Sequence, residues 1–223
     1  MFVYAAGLIY IRADGSVEGT TFIQSSDNVT YVFTADINDS EGVIVQRNNI
    51  IVDGNGHLLN NSLLMERDGV SLISVSNVTI KNLSVYGFAA GIVFIDVANN
   101  TISGNNITNN SEGIILQGSS GNRISGNYIA NNLRYGICLT SSSNNDTLSG
   151  NNITANNDVG IRLDGSSNNI ISANTVGNSP NEHIELLYSS NNNTISGNTL
   201  TNSTADVGIY VYACSLNSFL ETT

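Results

Sequence analysis

Five side chains in the last third of the chain have types and spacings that could do chemistry: Arg162, Asp164, Glu185, Tyr210 and Tyr212. Arg162, Glu185 and Tyr210 each take the middle place of an aliphatic-x-aliphatic triplet, in Ile161-Arg-Leu163, Ile184-Glu-Leu186 and Ile209-Tyr-Val211. Asp164 and Tyr212 directly follow their triplets. If the triplets are short strands stacked in register, all five face outward together. Two carboxylates about 8 Å apart beside aromatic rings could serve inverting hydrolysis of a glycoside, or hold a sugar. The same residues also read as a cross-strand Arg162–Glu185 pair on a solvated face, which stabilises by roughly 0.2–1 kcal/mol. On sequence alone the second reading takes precedence.

Other polar groups carry less. Asp68, Glu112, Asp158, Glu182 and Asp206 stand one or two residues before the start of a triplet unit, where clustered oxygens would suit calcium. Their offset alternates, and Arg67 and Arg134 share the corner, so a mixed-sign corner is the expectation. His57 and His183 fall in distant units, and no methionine or histidine cluster accompanies them. The sequence therefore calls for no metal and no cofactor. Cys138 and Cys214 lie three units apart. At about 4.8 Å per unit that is near 14 Å, beyond the roughly 7 Å a disulfide spans. Both are expected unpaired.

What positions these groups is a repeat. An aliphatic residue opening each unit recurs as Ile80, Ile102, Ile124, Leu148, Ile171 and Ile195, in steps of 22, 22, 24, 23 and 24 residues. A glycine followed by the triplet recurs at Gly91, Gly113, Gly136, Gly160 and Gly208, with His183 in that place once. Units this short cannot bury their own apolar face and must stack. Within each unit the apolar residues alternate, as in Ile114-Ile-Leu116, and Asn-Asn, Ser-Gly and Ser-Ser pairs interrupt every run before a helical turn could develop. No unit has the helical stretch or the leucine spacing of a leucine-rich horseshoe. The expectation is an all-β parallel β-helix of about eight coils. Asparagine suits its turns, tolerating the left-handed region and bonding to a stacked copy of itself. One such column is Asn105, Asn127, Asn151, Asn174 and Asn198; a second is Ser119, Ser142, Ser166 and Ser189, with Cys214 completing it.

Residues 1–41 do not follow the repeat and read as an irregular N-terminal strand and cap segment, with the β-helix occupying 42–223. Residues 58–68 read as a small loop. The apolar opening Met1–Tyr10 is a strand or the tail of an export signal. At the other end Phe219 stands where the opening aliphatic belongs. An open coil end is an unpaired sheet edge, so Phe219 and Leu220, with Leu8 and Tyr10 opposite, are the expected self-association residues. The chain has a net charge of -11 and a single lysine, Lys81. That argues against nucleic acid and anionic membranes. No stretch approaches the roughly 20 apolar residues of a membrane span. An extracellular or cell-surface location fits these features. Glycosylation sequons begin at Asn28, Asn38, Asn60, Asn77, Asn82, Asn99, Asn106, Asn109, Asn145, Asn152, Asn192 and Asn202. A chain this rich in Asn, Ser and Thr also makes sequons by chance.

The strings Asn77-Val-Thr-Ile-Lys-Asn-Leu83, Asn99-Asn-Thr-Ile-Ser-Gly-Asn-Asn-Ile107 and Asn192-Asn-Thr-Ile-Ser-Gly-Asn198 resemble the repeats of the NosD-like group of β-helix proteins. The entry Ile9-Tyr-Ile-Arg-Ala-Asp-Gly-Ser-Val17 does so too. The resemblance spans nearly the whole chain and implies a right-handed β-helix of the kind found in prokaryotic, especially archaeal, surface proteins. It specifies fold well and activity poorly, since the same coil carries lyases, hydrolases, epimerases, adhesins and fibres. The Asp-Pro-His-Asp string of mannuronan epimerases and the paired-Asp and Arg-x-Lys strings of polygalacturonases do not occur. The leading functional expectation is therefore a non-catalytic structural or adhesive protein, self-assembling head-to-tail into a filament or surface array. The alternative is a carbohydrate-binding or polysaccharide-cleaving protein acting through Arg162, Asp164 and Glu185.

Overall fold

The computed structural model describes residues 7–61, 66–202 and 207–223, and among them every regular element is a β-strand. The apolar start Met1–Ala6, the middle of the expected 58–68 loop and Asp206 lie outside the described residues.

Three short strands per unit stack on those of the next unit, giving sheets of ten, seven and ten strands that run along the molecule. The first sheet holds the strands that follow the glycine. Its register aligns Ile92, Ile114, Ile137, Ile161, Ile184 and Ile209, so the triplets sit directly over one another. The second sheet carries the opening aliphatics, with Ile80, Ile102, Ile124, Leu148, Ile171 and Ile195 in line. The third carries Val85, Ile107, Ile129, Ile153 and Val176. The chain is thus a right-handed parallel β-helix of about eight coils. Strand alternation turns all three rows inward, where they are buried in one continuous core.

Two kinds of backbone constraint explain the punctuation. Gly104, Gly126, Gly150 and Gly197 take φ between 60° and 64°, the left-handed region; Ala173 occupies the same column at 53°. The glycine before each triplet is needed for closeness instead: a Cβ on Gly113 would stand 2.3 Å from the Gly136 carbonyl oxygen. The serine column differs from expectation by one residue. Ser142 and Ser189 are exposed at positive φ, and the buried hydroxyls belong to Ser143 and Ser190. The backbone N–H groups of Ser119 and Ser166 donate to them. Two consecutive left-handed residues, Ser141-Ser142 and Tyr188-Ser189, absorb the extra residue of these longer units.

Parallel stacking begins ahead of residue 42. Ile9–Ile11 pairs in parallel with Val43–Val45, and Thr30–Phe33 with Ile50–Asp53. Two short antiparallel partners, Val17–Glu18 and Ile23–Gln24, edge this first coil. Tyr31 and Phe33 fill its interior, and the Tyr31 hydroxyl donates to the Gly15 carbonyl at 3.0 Å.

Candidate functional site

The outer surface of the first sheet gathers the chain's polar chemistry. In register, its outward middle column runs Val93, Ile115, Cys138, Arg162, Glu185, Tyr210. The neighbouring outward column ends Thr140, Asp164, Leu187, Tyr212. Because outward side chains of successive coils sit one rung apart, residues about 23 positions apart in sequence become neighbours.

Arg162 is the hub. Its Nη1 donates to Glu185 Oε2 at 2.6 Å and its Nη2 to Asp164 Oδ2 at 3.1 Å. Its guanidinium also lies over the Tyr135 ring, 5.3 Å from the centroid. Arg134 lies over the same ring at 4.7 Å, donates to the Tyr135 hydroxyl at 3.0 Å and pairs with Glu112. Both cations are therefore held by carboxylates and by an aromatic face. Beneath them Tyr135, Cys138 and Val159 form a small apolar cluster outside the main core. Cys138, outward by register, is buried there, and burial pushes its thiol up to about 12. It is thus a packing residue rather than a nucleophile.

The carboxyls are not equivalent. Burial raises Glu185 above the usual carboxylate range, with Glu182 and Asp158 adding to the effect against the attraction of Arg162. Burial likewise raises Glu112, opposed by Arg134 and reinforced by Asp68. A half-buried carboxyl with a raised pKa beside a fixed guanidinium can hold a proton for exchange or hydrogen-bond a hydroxyl. At the C-terminal end of this face the rings of Tyr188 and Tyr212 meet edge to face at 5.7 Å, and both are more than half exposed. Exposed rings of this kind offer an apolar face with a polar tip. The face is a surface rather than a pocket. A cavity of about 450 Å³ lies at a corner lined by Asn48, Ser74, Asp96 and Ser120, and another of about 420 Å³ at the last rung beside Ile209 and Phe219.

The structure thus brings Arg162, Asp164 and Glu185 into direct contact, with Tyr210 beside Glu185 and Tyr212 beside Leu187. Sequence reasoning missed Tyr135 and Tyr188. It also assigned Glu112 and Arg134 to a separate corner. The available signal was the Arg134-Tyr135 dipeptide, one unit before Arg162 and adjacent to the glycine where coils approach closely. The histidines stand apart. His57 pairs with Asp36 at 3.1 Å, while buried His183 donates from Nε2 to the Thr201 carbonyl of the next coil at 2.8 Å. Phe219 and Leu220 are exposed on the last rung; Leu8 and Tyr10 are half-buried on the first coil, with Arg12 over the Tyr10 ring at 3.9 Å. The sequon asparagines are exposed or half-exposed, and none belongs to the buried columns.

A family described as right handed beta helix region matches residues 68–223. No curated protein matches the chain. Among solved structures, a periplasmic alginate epimerase is similar over 85% of this chain and 50% of its own, at 22% identity and a TM-score of 0.69. The A-module of the Azotobacter vinelandii mannuronan C-5 epimerase is similar over 87% of this chain and 60% of its own, at 17% identity and 0.70. The enzymatically active domain of tailspike protein 2 from bacteriophage CBA120 is similar over 84% and 34%, at 13% identity and 0.68. The chain spans about half the length of the first of these. At such identities the likeness concerns fold.

Proposed function

The chain belongs to the right-handed beta helix family, and from that premise we propose that it binds or processes a polysaccharide along the outward face of its first sheet. The observation that carries this reading is the Arg162 hub, joined to Glu185 and Asp164 and continued by exposed tyrosines, on an open face that a polymer can lie across. The solved structures similar in fold support it, because two are epimerases named for alginate or mannuronan and one is a tailspike's enzymatically active domain. Their periplasmic and phage-borne settings also support a site of action outside the cytoplasm. Within the family, the strings at Asn77, Asn99 and Asn192 support the finer placement among NosD-like proteins. Affinity electrophoresis and product analysis with soluble polysaccharides test the function. Asp164→Ala and Glu185→Ala should each weaken retention or turnover at least tenfold, and unchanged behaviour of both removes the proposal.

A second reading rests on a different place. Val211, Phe219 and Leu220 occupy inward or edge positions of the last rung, yet they are 40%, 45% and 54% exposed. Another rung, from a continuing chain or from a second copy, would cover them. Sedimentation and electron microscopy across a concentration series distinguish self-stacking, seen as fibres or growing species, from a discrete particle.

A further inference from the structure

The Arg162 face also carries information about charge. Two guanidiniums, Arg134 and Arg162, lie over Tyr135 and pair with Glu112, Asp164 and Glu185, and two further carboxylates, Asp158 and Glu182, lie close enough to Glu185 to repel its charge. Both cations are already matched in charge by carboxylates of this chain. Arg134 uses Nη1 on Glu112 and Nη2 on the Tyr135 hydroxyl, while Arg162 uses Nη1 on Glu185 and Nη2 on Asp164. A polymer bearing one carboxylate per sugar would enter a field of excess negative charge on a chain whose net charge is already -11. Each guanidinium it approached would already share its charge with a carboxylate of this chain, so the attraction is offset by repulsion from the surplus carboxylates. An uncharged polymer meets no such cost. Its hydroxyls can donate to Asp164 and Glu185, and its ring faces can lie on Tyr188, Tyr210 and Tyr212, which stay exposed.

We infer that the polymer recognised by this face is a neutral glycan, with the carboxylates of the face excluding uronate chains. The inference rests on the carbohydrate reading above and differs from the polymers for which the alginate and mannuronan epimerases are named. The test compares galactomannan and xyloglucan with alginate and polygalacturonate in affinity electrophoresis, at low and at moderate salt. The neutral polymers should bind with little salt dependence. The uronates should bind at least tenfold more weakly at low salt, and the gap should narrow as salt screens the repulsion. The double variant Asp158→Lys with Glu182→Lys should keep neutral binding, which shows it is folded, and gain uronate binding about tenfold. Uronate binding by the unmodified protein that equals or exceeds neutral binding at low salt overturns the neutral-glycan inference while leaving carbohydrate recognition standing. Failure to bind either class overturns both.

Discussion

Two buried columns run through the later coils, from Asn105 and from Asn100 onward, and the main difference between them is one atom of Asp146. In the first, Asn105, Asn127, Asn151, Asn174 and Asn198 repeat one arrangement: each Nδ2 donates to the next Oδ1 at 2.9–3.0 Å, and each backbone N–H donates to the same oxygen. In the second, Asn100, Asn122, Asp146, Asn169, Asn193 and Asn217 follow the same path at another corner. Asp146 Oδ1 accepts from the Asn122 backbone and side chain at 2.7 and 3.0 Å, as an amide oxygen would. Its Oδ2 takes the place of an amide nitrogen and has no partner. An amide gives one donor and one acceptor to every rung, whereas an ionised carboxylate can only accept. The first column is self-satisfying at any pH; the second is complete only when Asp146 holds a proton. Burial accordingly pushes Asp146 up to about 7.

Removing an amide from either buried column should have the largest effect. Asn127→Ala deletes an acceptor for the backbone and side chain of Asn105, and the donor to Asn151 and to the Ile102 carbonyl. Buried groups left unsatisfied cost about 1–3 kcal/mol each, so a loss of about 4 kcal/mol is expected in denaturant unfolding. The matching change in the broken column, Asn122→Ala, strips the buried Asp146 of its side-chain donor, which the ionised carboxylate needs more than a neutral amide would, and should cost about 1 kcal/mol more at pH 8. Equal losses would show that the two columns are energetically alike.

The next effect concerns pH. With a carboxyl near 3.8 when unfolded and about 7 when folded, the folded state binds the extra proton between those values. Stability from this group is therefore fully present below about pH 4, falls as pH rises toward 7, and is flat above. Asp146→Asn supplies the missing donor without a proton. It should leave stability at pH 4 nearly unchanged and raise it by roughly 4 kcal/mol at pH 8. Asn127→Asp should import the same downward slope into the first column. Parallel pH curves for the original protein and Asp146→Asn would refute the account of the orphaned oxygen.

The contrast also marks what the sequence could convey. The rows of Ile102, Ile124 and Leu148, and the column from Asn105 to Asn198, were legible because each recurs at the coil's own spacing, and one coil of chain returns a residue to the same corner. The Arg162–Glu185–Asp164 contact was legible for the same reason. The serine column slipped to Ser143 and Ser190 because two turns each take an extra left-handed residue, which leaves no mark on apolar alternation. Tyr135 and Tyr188 were not legible as site residues. They project from turns, and the coils that bring Arg134 and Arg162 over the Tyr135 ring are set by close packing rather than by period. The corner column through Asp146 likewise had no signal of its own, since Asn144-Asn145-Asp146 offers three candidate polar residues and only burial selects one.

The smallest effect comes from columns that stack just as regularly but face water. Ser103, Ser125, Ser149, Ser172 and Ser196 lie in register on the outside of the second sheet, and each is half-buried at most. Their spacing is that of the asparagine columns, yet water can satisfy a hydroxyl there whether or not its neighbour is present. Ser149→Ala should therefore change unfolding stability by no more than about 0.5 kcal/mol. If regular stacking itself were the source of stabilisation, Ser149→Ala and Asn127→Ala would have similar costs. A difference of several-fold between them would assign the effect to buried donors and acceptors that have no partner except each other.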